Sequence, residues 1–173
     1  HGAVSGVSGQ TLSSLLSSDK VDMVTTIQNI GYAKLDGAEN EYKPYLFVGA
    51  MDNLFSSIMP VNLTQGEMPA SSKEIIIPEH LSQNGGVTLK LGSEITLEMG
   101  NRYLGEEVLA QHQGFDSRNE VFKSERTRTF KVVGYYERPS FEGYNAPGYT
   151  ALTLPDGAGP DSFNAFLRVE QAK

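Results

Sequence analysis

Cysteine is absent from the 173 residues, which removes disulfides, thiolate metal sites and cysteine nucleophiles together. That absence leaves the compartment open, because reducing and oxidising compartments both hold cysteine-free domains. Tryptophan is absent too, so the eight Phe and eight Tyr must supply the aromatic part of any core. Positive charge is in deficit: 14 Lys and Arg against 21 Asp and Glu give a net charge of −7. Such a balance repels a phosphate backbone rather than attracting it. The one basic run, Lys123, Arg126, Arg128 and Lys131 with Arg118 nearby, is interrupted by Glu120 and Glu125 and reads as a solvated hairpin edge. Nucleic acid is therefore not an expected partner. No window of about 18 apolar residues is present to span a bilayer as a helix. No charged segment leads into an apolar one in the manner of a signal peptide. With His1 first rather than Met, excision from a larger protein is the expectation.

The usual catalytic and cofactor patterns are missing as well. No G-x-x-x-x-G-K-[ST] loop offers a phosphate cradle. Gly2-Ala3-Val4-Ser5-Gly6 places its Ser in the wrong slot for a nucleophile elbow and has no strand before it. Three histidines, His1, His80 and His112, show no paired metal-ligand spacing. Adjacent Glu106 and Glu107 would face opposite sides of a strand, and Asp36, Glu39 and Glu41 lack the spacing of a calcium loop. His112 near Asp116 is the only starting point for a metal or an acid–base pair. No catalytic residue, no cofactor and no metal is expected, and the chain reads as a non-enzyme.

What is present is a succession of short β-rich segments. Residues 1–8 are Gly, Ser and other small residues and read as a flexible lead-in. Leu12, Leu15 and Leu16 then fall at helical spacing with Thr11 as a candidate cap. Residues 21–30 and 32–35 read as two strands separated by Gly31, and residues 44–49 as a buried strand. Asp52 is a candidate cap for a short helix whose Leu54, Phe55 and Ile58 share a face. Residues 63–69 read as a loop, residues 74–77 as a strand, and residues 78–81 as a helical turn opened by Pro78. Strands follow at residues 94–99, 127–137, 149–154 and 163–169. Residues 106–113 are the candidate hairpin partner of 94–99, residues 117–125 a loop or hairpin tip, and Gly134 a candidate bulge. The fold class is strand-rich α+β: two small lobes with mixed and antiparallel sheets and few short helices. The chain reads as one domain over residues 1–173, with any lobe boundary near residues 59–100.

An ordered series of segments carries a family signal. It runs Met59-Pro60-Val61-Asn62-Leu63-Thr64-Gln65-Gly66-Glu67-Met68-Pro69, then Lys73-Glu74-Ile75-Ile76-Ile77-Pro78-Glu79-His80-Leu81, then Leu89-Lys90-Leu91-Gly92-Ser93-Glu94-Ile95-Thr96-Leu97. After an insertion it closes with Thr129-Phe130-Lys131-Val132-Val133-Gly134-Tyr135-Tyr136. This series resembles the extracytoplasmic core domain of FtsX/MacB-like ABC transporter permeases, over roughly residues 20–155. Residues 101–128 are longer than the family pattern. The resemblance implies a bacterial membrane protein whose domain lies on the extracytoplasmic face of the cell membrane and handles substrate or passes a mechanical signal. The implied partners are the transmembrane helices of the same permease, a second permease subunit and, indirectly, a cytoplasmic ATP-binding subunit or domain.

Two surfaces are candidates for recognition, because exposed loops on a rigid scaffold carry it. They are the Gly-, Pro- and aromatic-rich loop at residues 140–149 and the polar stretch at residues 101–128. Phe141, Tyr144 and Tyr149 are the candidate partner-facing residues. The same aromatics, with Tyr135 and Tyr136, would equally serve as a small core beneath the loop. A free-standing extracellular module binding a peptide or glycan through this loop is the competing reading, and a hydrolase is a distant third.

Overall fold

The computed structural model describes residues 2–169. In chain order the elements are β1 (Gly2–Val7), α1 (Gly9–Leu16), β2 (Val21–Lys34), β3 (Tyr45–Met51), α2 (Phe55–Ile58), β4 (Leu63–Gly66) and β5 (Glu74–Pro78). They continue with α3 (His80–Gly85), β6 (Glu94–Leu104), β7 (Glu107–Leu109), β8 (Val121–Tyr136), β9 (Gly148–Thr153) and β10 (Phe163–Val169). The expected strand-rich α+β class is what the structure shows, with a mixed sheet and three short helices.

All ten strands belong to one sheet, in the order β1-β10-β2-β3-β9-β5-β8-β6-β7, with β4 added beside β8. β2 also pairs with β6 at Tyr32 and Gly100. That bond closes β2, β3, β9, β5, β8 and β6 into a ring. Two of its neighbours are parallel, β3 with β9 and β5 with β8, and the other pairings are antiparallel. Side chains alternate across a strand, so every second residue points inward. Leu46, Val48 and Ala50 of β3, Ile75 and Ile77 of β5, Leu97 and Met99 of β6, Phe130 and Val132 of β8 and Tyr149 and Ala151 of β9 fill the interior as one cluster. Each large aliphatic or aromatic side chain so buried stabilises the fold by about 1.5–3 kcal/mol. Outward-facing residues of the ring strands pack on one side against Phe55 of α2 (Ile27, Met51, Ile76, Leu152) and on another beneath the β7–β8 loop (Tyr32, Tyr45, Phe47). β3 and β9 are consequently buried along their whole length.

Several local expectations are corrected. The lead-in is a strand: Gly2–Val7 pairs antiparallel with β10, and the Gly6 and Gly9 amides donate to Asn164 and Asp161. Small residues give no periodic signal, and only the partner strand orders them. Ser8, not Thr11, caps α1, because its hydroxyl accepts from the Thr11 amide three residues on. Residues 21–34 are one strand, with Gly31 at an irregularity inside it rather than at its end. Residues 63–66 form β4 on β8 instead of a loop. β8 starts at Val121 inside the expected loop, because polar cross-strand contacts hold it to β6: the Tyr103 hydroxyl donates to Glu125 at 2.6 Å and the Lys123 ammonium lies over the Tyr103 ring. The expected bulge at Gly134 is present, with Ile75 and Ile76 of β5 opposite Val132 and Gly134.

Candidate functional site

At one end of the ring three loops and a helix meet. The β2–β3 loop supplies Tyr42 and Lys43, α3 supplies His80 and Asn84, the β7–β8 loop supplies Phe115, and the β8–β9 loop supplies Arg138, Tyr144 and Asn145. Together they line a cavity of about 550 Å³. The β8–β9 loop is the aromatic loop singled out from the sequence, and the structure divides its three candidates. Tyr144 is 90% exposed at the cavity rim. Phe141 is half-buried, edge-on to Phe55 and Phe166, and belongs to the core beneath α2. Tyr149 is fully buried in the ring interior. The expectation that Tyr149 faces a partner is therefore corrected: it is an inward position of β9, and its hydroxyl donates to Asn84 at 2.6 Å.

The floor of the cavity is built around Glu142, whose side chain is wholly buried. One carboxylate oxygen accepts from the Thr150 amide and the Thr150 hydroxyl, both at 2.8 Å. The other lies 3.0 Å from Lys43 Nζ and 2.7 Å from His80 Nε2. Lys43 also donates to the Ala146 carbonyl and sits over the Tyr149 ring, with His80 edge-on to the same ring. Burial pushes the Glu142 carboxyl up. The hydrogen bond and charge of His80 and the charge of Lys43 outweigh burial and hold it below the ordinary carboxylate value. Burial pushes the Lys43 ammonium down, against the pull of Glu142, and pushes the Tyr149 phenol up to about 12. A buried carboxylate with four partners has no lone pair left to take a proton from a substrate, so Glu142 is a hub that fixes the loops rather than a general base.

A second buried ion pair braces the wall. Arg102, fully buried on β6, donates from Nε and Nη2 to the two oxygens of Glu120, each at 2.8 Å, and from its remaining N–H groups to the carbonyls of Ala110, Gln113 and Gly114. Its guanidinium also stacks near the Tyr32 and Tyr45 rings. It thereby pins the β7–β8 loop that carries Phe115. The sequence reading named Glu120 only as an interruption of a basic run and did not reach Arg102, Glu142 or Lys43. Glu142 lies between Phe141 and Gly143 with no local sign of His80 and Lys43, which come from 62 and 99 residues away.

His112 and Asp116 are not brought together. Asp116 caps its own turn through the Arg118 and Asn119 amides. His112 lies at the mouth of a separate cleft of about 470 Å³, where β10 and β6 diverge from β2. Among the described residues no three His, Cys, Asp or Glu side chains cluster as a metal site would need. No helix among them is long and apolar enough to cross a membrane.

The sequence matches no protein-family model and no curated protein. Solved structures do align with it over nearly its whole length. The extracellular domain of the noncanonical ABC-type transporter YknZ from Gram-positive bacteria aligns with a TM-score of 0.51 at 10% identity, covering 96% of this chain and 75% of that one. A domain of a protein assigned as a permease from Porphyromonas gingivalis aligns with a TM-score of 0.54 at 17% identity, covering 96% of this chain and 70% of that one. The periplasmic region of MacB from Actinobacillus actinomycetemcomitans gives 0.46 at 9% identity, over 96% and 66%. The chain thus shares its overall fold with the extracellular domain of an ABC-type transporter and with a domain of a protein assigned as a permease.

Proposed function

We propose that this chain is the extracytoplasmic domain of a bacterial ABC transporter permease, held on the outer face of the cell membrane, where it handles substrate or relays mechanical work from cytoplasmic ATP hydrolysis. The observation that carries the reading is the likeness of fold over 96% of the chain to the extracellular domain of an ABC-type transporter and to a domain of a protein assigned as a permease. Topology supports it. β1 and β10 run antiparallel with Gly2 opposite Leu167, so the two ends of the described chain emerge side by side, as an insertion between two membrane helices requires. The closed ring supports it too, because a ring of hydrogen-bonded strands moves as a body and can pass on the displacement of its tethers. The partners of this reading are the permease's own transmembrane helices, a second permease subunit and the ATP-binding subunit or domain behind them.

A second reading, a free-standing extracellular binding module, is favoured by one observation: the cavity rimmed by Tyr42 and Tyr144, which are 72% and 90% exposed. One experiment separates the two. The chain contains no cysteine, so Tyr144→Cys in the complete parent protein, cleared of any other cysteine, gives a single external reporter. Labelling of intact cells by a membrane-impermeant maleimide, with the label in the membrane pellet, is the expected result. Label that enters only after lysis would overturn an outer location. Label on a protein released into the medium would favour the binding module.

A further inference from the structure

The cavity at the end of the ring has a charge opposite to that of the chain. In a protein with 21 acidic and 14 basic side chains, its lining among the described residues includes Lys43, Arg138 and His80 and no Asp or Glu. Arg138 is exposed at the rim and makes no ion pair or side-chain hydrogen bond among the described residues. Its guanidinium retains five N–H donors in a planar fork, the geometry that grips a carboxylate with two parallel bonds. On the floor, Lys43 and His80 share the single buried carboxylate of Glu142. Lys43 uses two of its three N–H donors, on Glu142 and Ala146. The His80 side chain is 10% exposed, and its Nδ1 is buried without a partner.

The rest of the lining is suited to a ring with hydroxyl groups. Tyr42 and Tyr144 offer exposed aromatic faces, on which the C–H face of a sugar ring can stack, and Phe115 adds an apolar wall. Asn84 spends its carbonyl oxygen on Asn40 and Tyr149. Its amide N–H groups, and both polar atoms of Asn145, carry no side-chain hydrogen bond among the described residues. A volume of about 550 Å³ is in the range of small-ligand sites, roughly 300–1,000 Å³.

We infer that this cavity binds an acidic sugar, a pyranose ring bearing a carboxylate, with the carboxylate on Arg138 and above Lys43 and His80, and the ring between Tyr42 and Tyr144. The inference does not depend on the permease reading. A free-standing module with this cavity would bind the same ligand, and a sugar titration of the native chain is indifferent to which side of a membrane the chain occupies, so either can fail alone.

The test is a titration of the isotopically labelled 173-residue chain with glucuronate, followed by amide resonances, with glucose as the uncharged ring and acetate as the ringless charge. Glucuronate is expected to give saturable shifts at the amides of Lys43, Asn84, Tyr144 and Asn145, with glucose and acetate each at least about tenfold weaker, since each lacks one of the two recognition elements. Arg138→Gln, an exposed position whose exchange leaves the fold in place, should weaken glucuronate by about tenfold or more and leave the melting temperature unchanged. Equal binding of glucose would show that the charge is not read, and equal binding of acetate that the ring is not. Either outcome, shifts confined to another part of the chain, or no saturable shift at tens of millimolar glucuronate would overturn the inference.

Discussion

Glu142 is the residue on which the end of the ring depends. Its carboxylate joins the β2–β3 loop through Lys43, α3 through His80 and β9 through Thr150. Replacing it with Gln keeps the shape and removes the charge, which leaves Lys43 buried without compensation. Breaking a buried pair in this way costs about 3–5 kcal/mol, which for a chain of this size lowers Tm by roughly 10 °C. The effect depends on pH with a definite sign. The folded carboxyl sits below its ordinary value of 4.5, so between the two values the unfolded chain binds more protons than the folded one. Stability from this group is complete above the ordinary value and is lost as pH falls through the folded one. Thermal melts of the native chain from neutral pH down to about pH 3 should show this acid loss, and Glu142→Gln should lack that component. None of this was legible locally. A single Glu in an aromatic loop looks like surface charge, and the aromatic pattern that drew attention to Tyr149 could not tell an inward strand position from an exposed one.

At the scale of elements, the closure of the ring rests on two glycines that face one another. A Cβ on Gly31 would stand 2.7 Å from the Gly100 carbonyl oxygen, and the φ of +141° at Gly31 disfavours a side chain in any case. A Cβ on Gly100 would stand 1.8 Å from the Lys123 carbonyl oxygen of β8. β2 and β6 pair here through their backbones at Tyr32 and Gly100. Gly31→Ala and Gly100→Ala should each cost about 1–3 kcal/mol, read as an earlier midpoint in urea unfolding. Gly143→Ala, whose Cβ would meet nothing within 4 Å, is the control and should stay within about 0.5 kcal/mol. If Gly31→Ala, whose Cβ would meet β6, unfolds no earlier than Gly143→Ala, the ring is not closed at that seam. Gly31 was legible as a break in a β-branched run. Its partner was not, because Gly100 follows an alternating strand that looks complete without it. β1 and β4 escaped for a related reason: each is short, small or polar, and its only reason to be extended is the strand beside it.

The whole molecule is one sheet that returns on itself. β2, from the first fifth of the chain, pairs with β10 and β6, and β3 pairs with β9 about 100 residues later. The strands of the ring also share one interior cluster, so opening any seam exposes apolar side chains of several strands at once. The chain should therefore unfold in one cooperative transition, with far-ultraviolet and near-ultraviolet circular dichroism coinciding along the urea curve. Two separated transitions would instead establish independent lobes on either side of residues 59–100.

The sequence by itself determined the material and the periods. Apolar–polar alternation dictated the strand at 94–99, local β-rich composition marked those at 127–137, 149–154 and 163–169, the continuous apolar run dictated the buried β3, and the charge balance set the molecule's field. These are local facts, fixed by the two-residue repeat of an extended chain and by the cost of leaving apolar surface in water. The tertiary structure alone decided which strands are neighbours, that six of them close into a ring, and that Lys43, His80 and Glu142 meet beneath a cavity beside Arg138. Those depend on contacts between residues far apart in the chain, and a buried charge shows no trace in the sequence of the distant partners that make its burial tolerable.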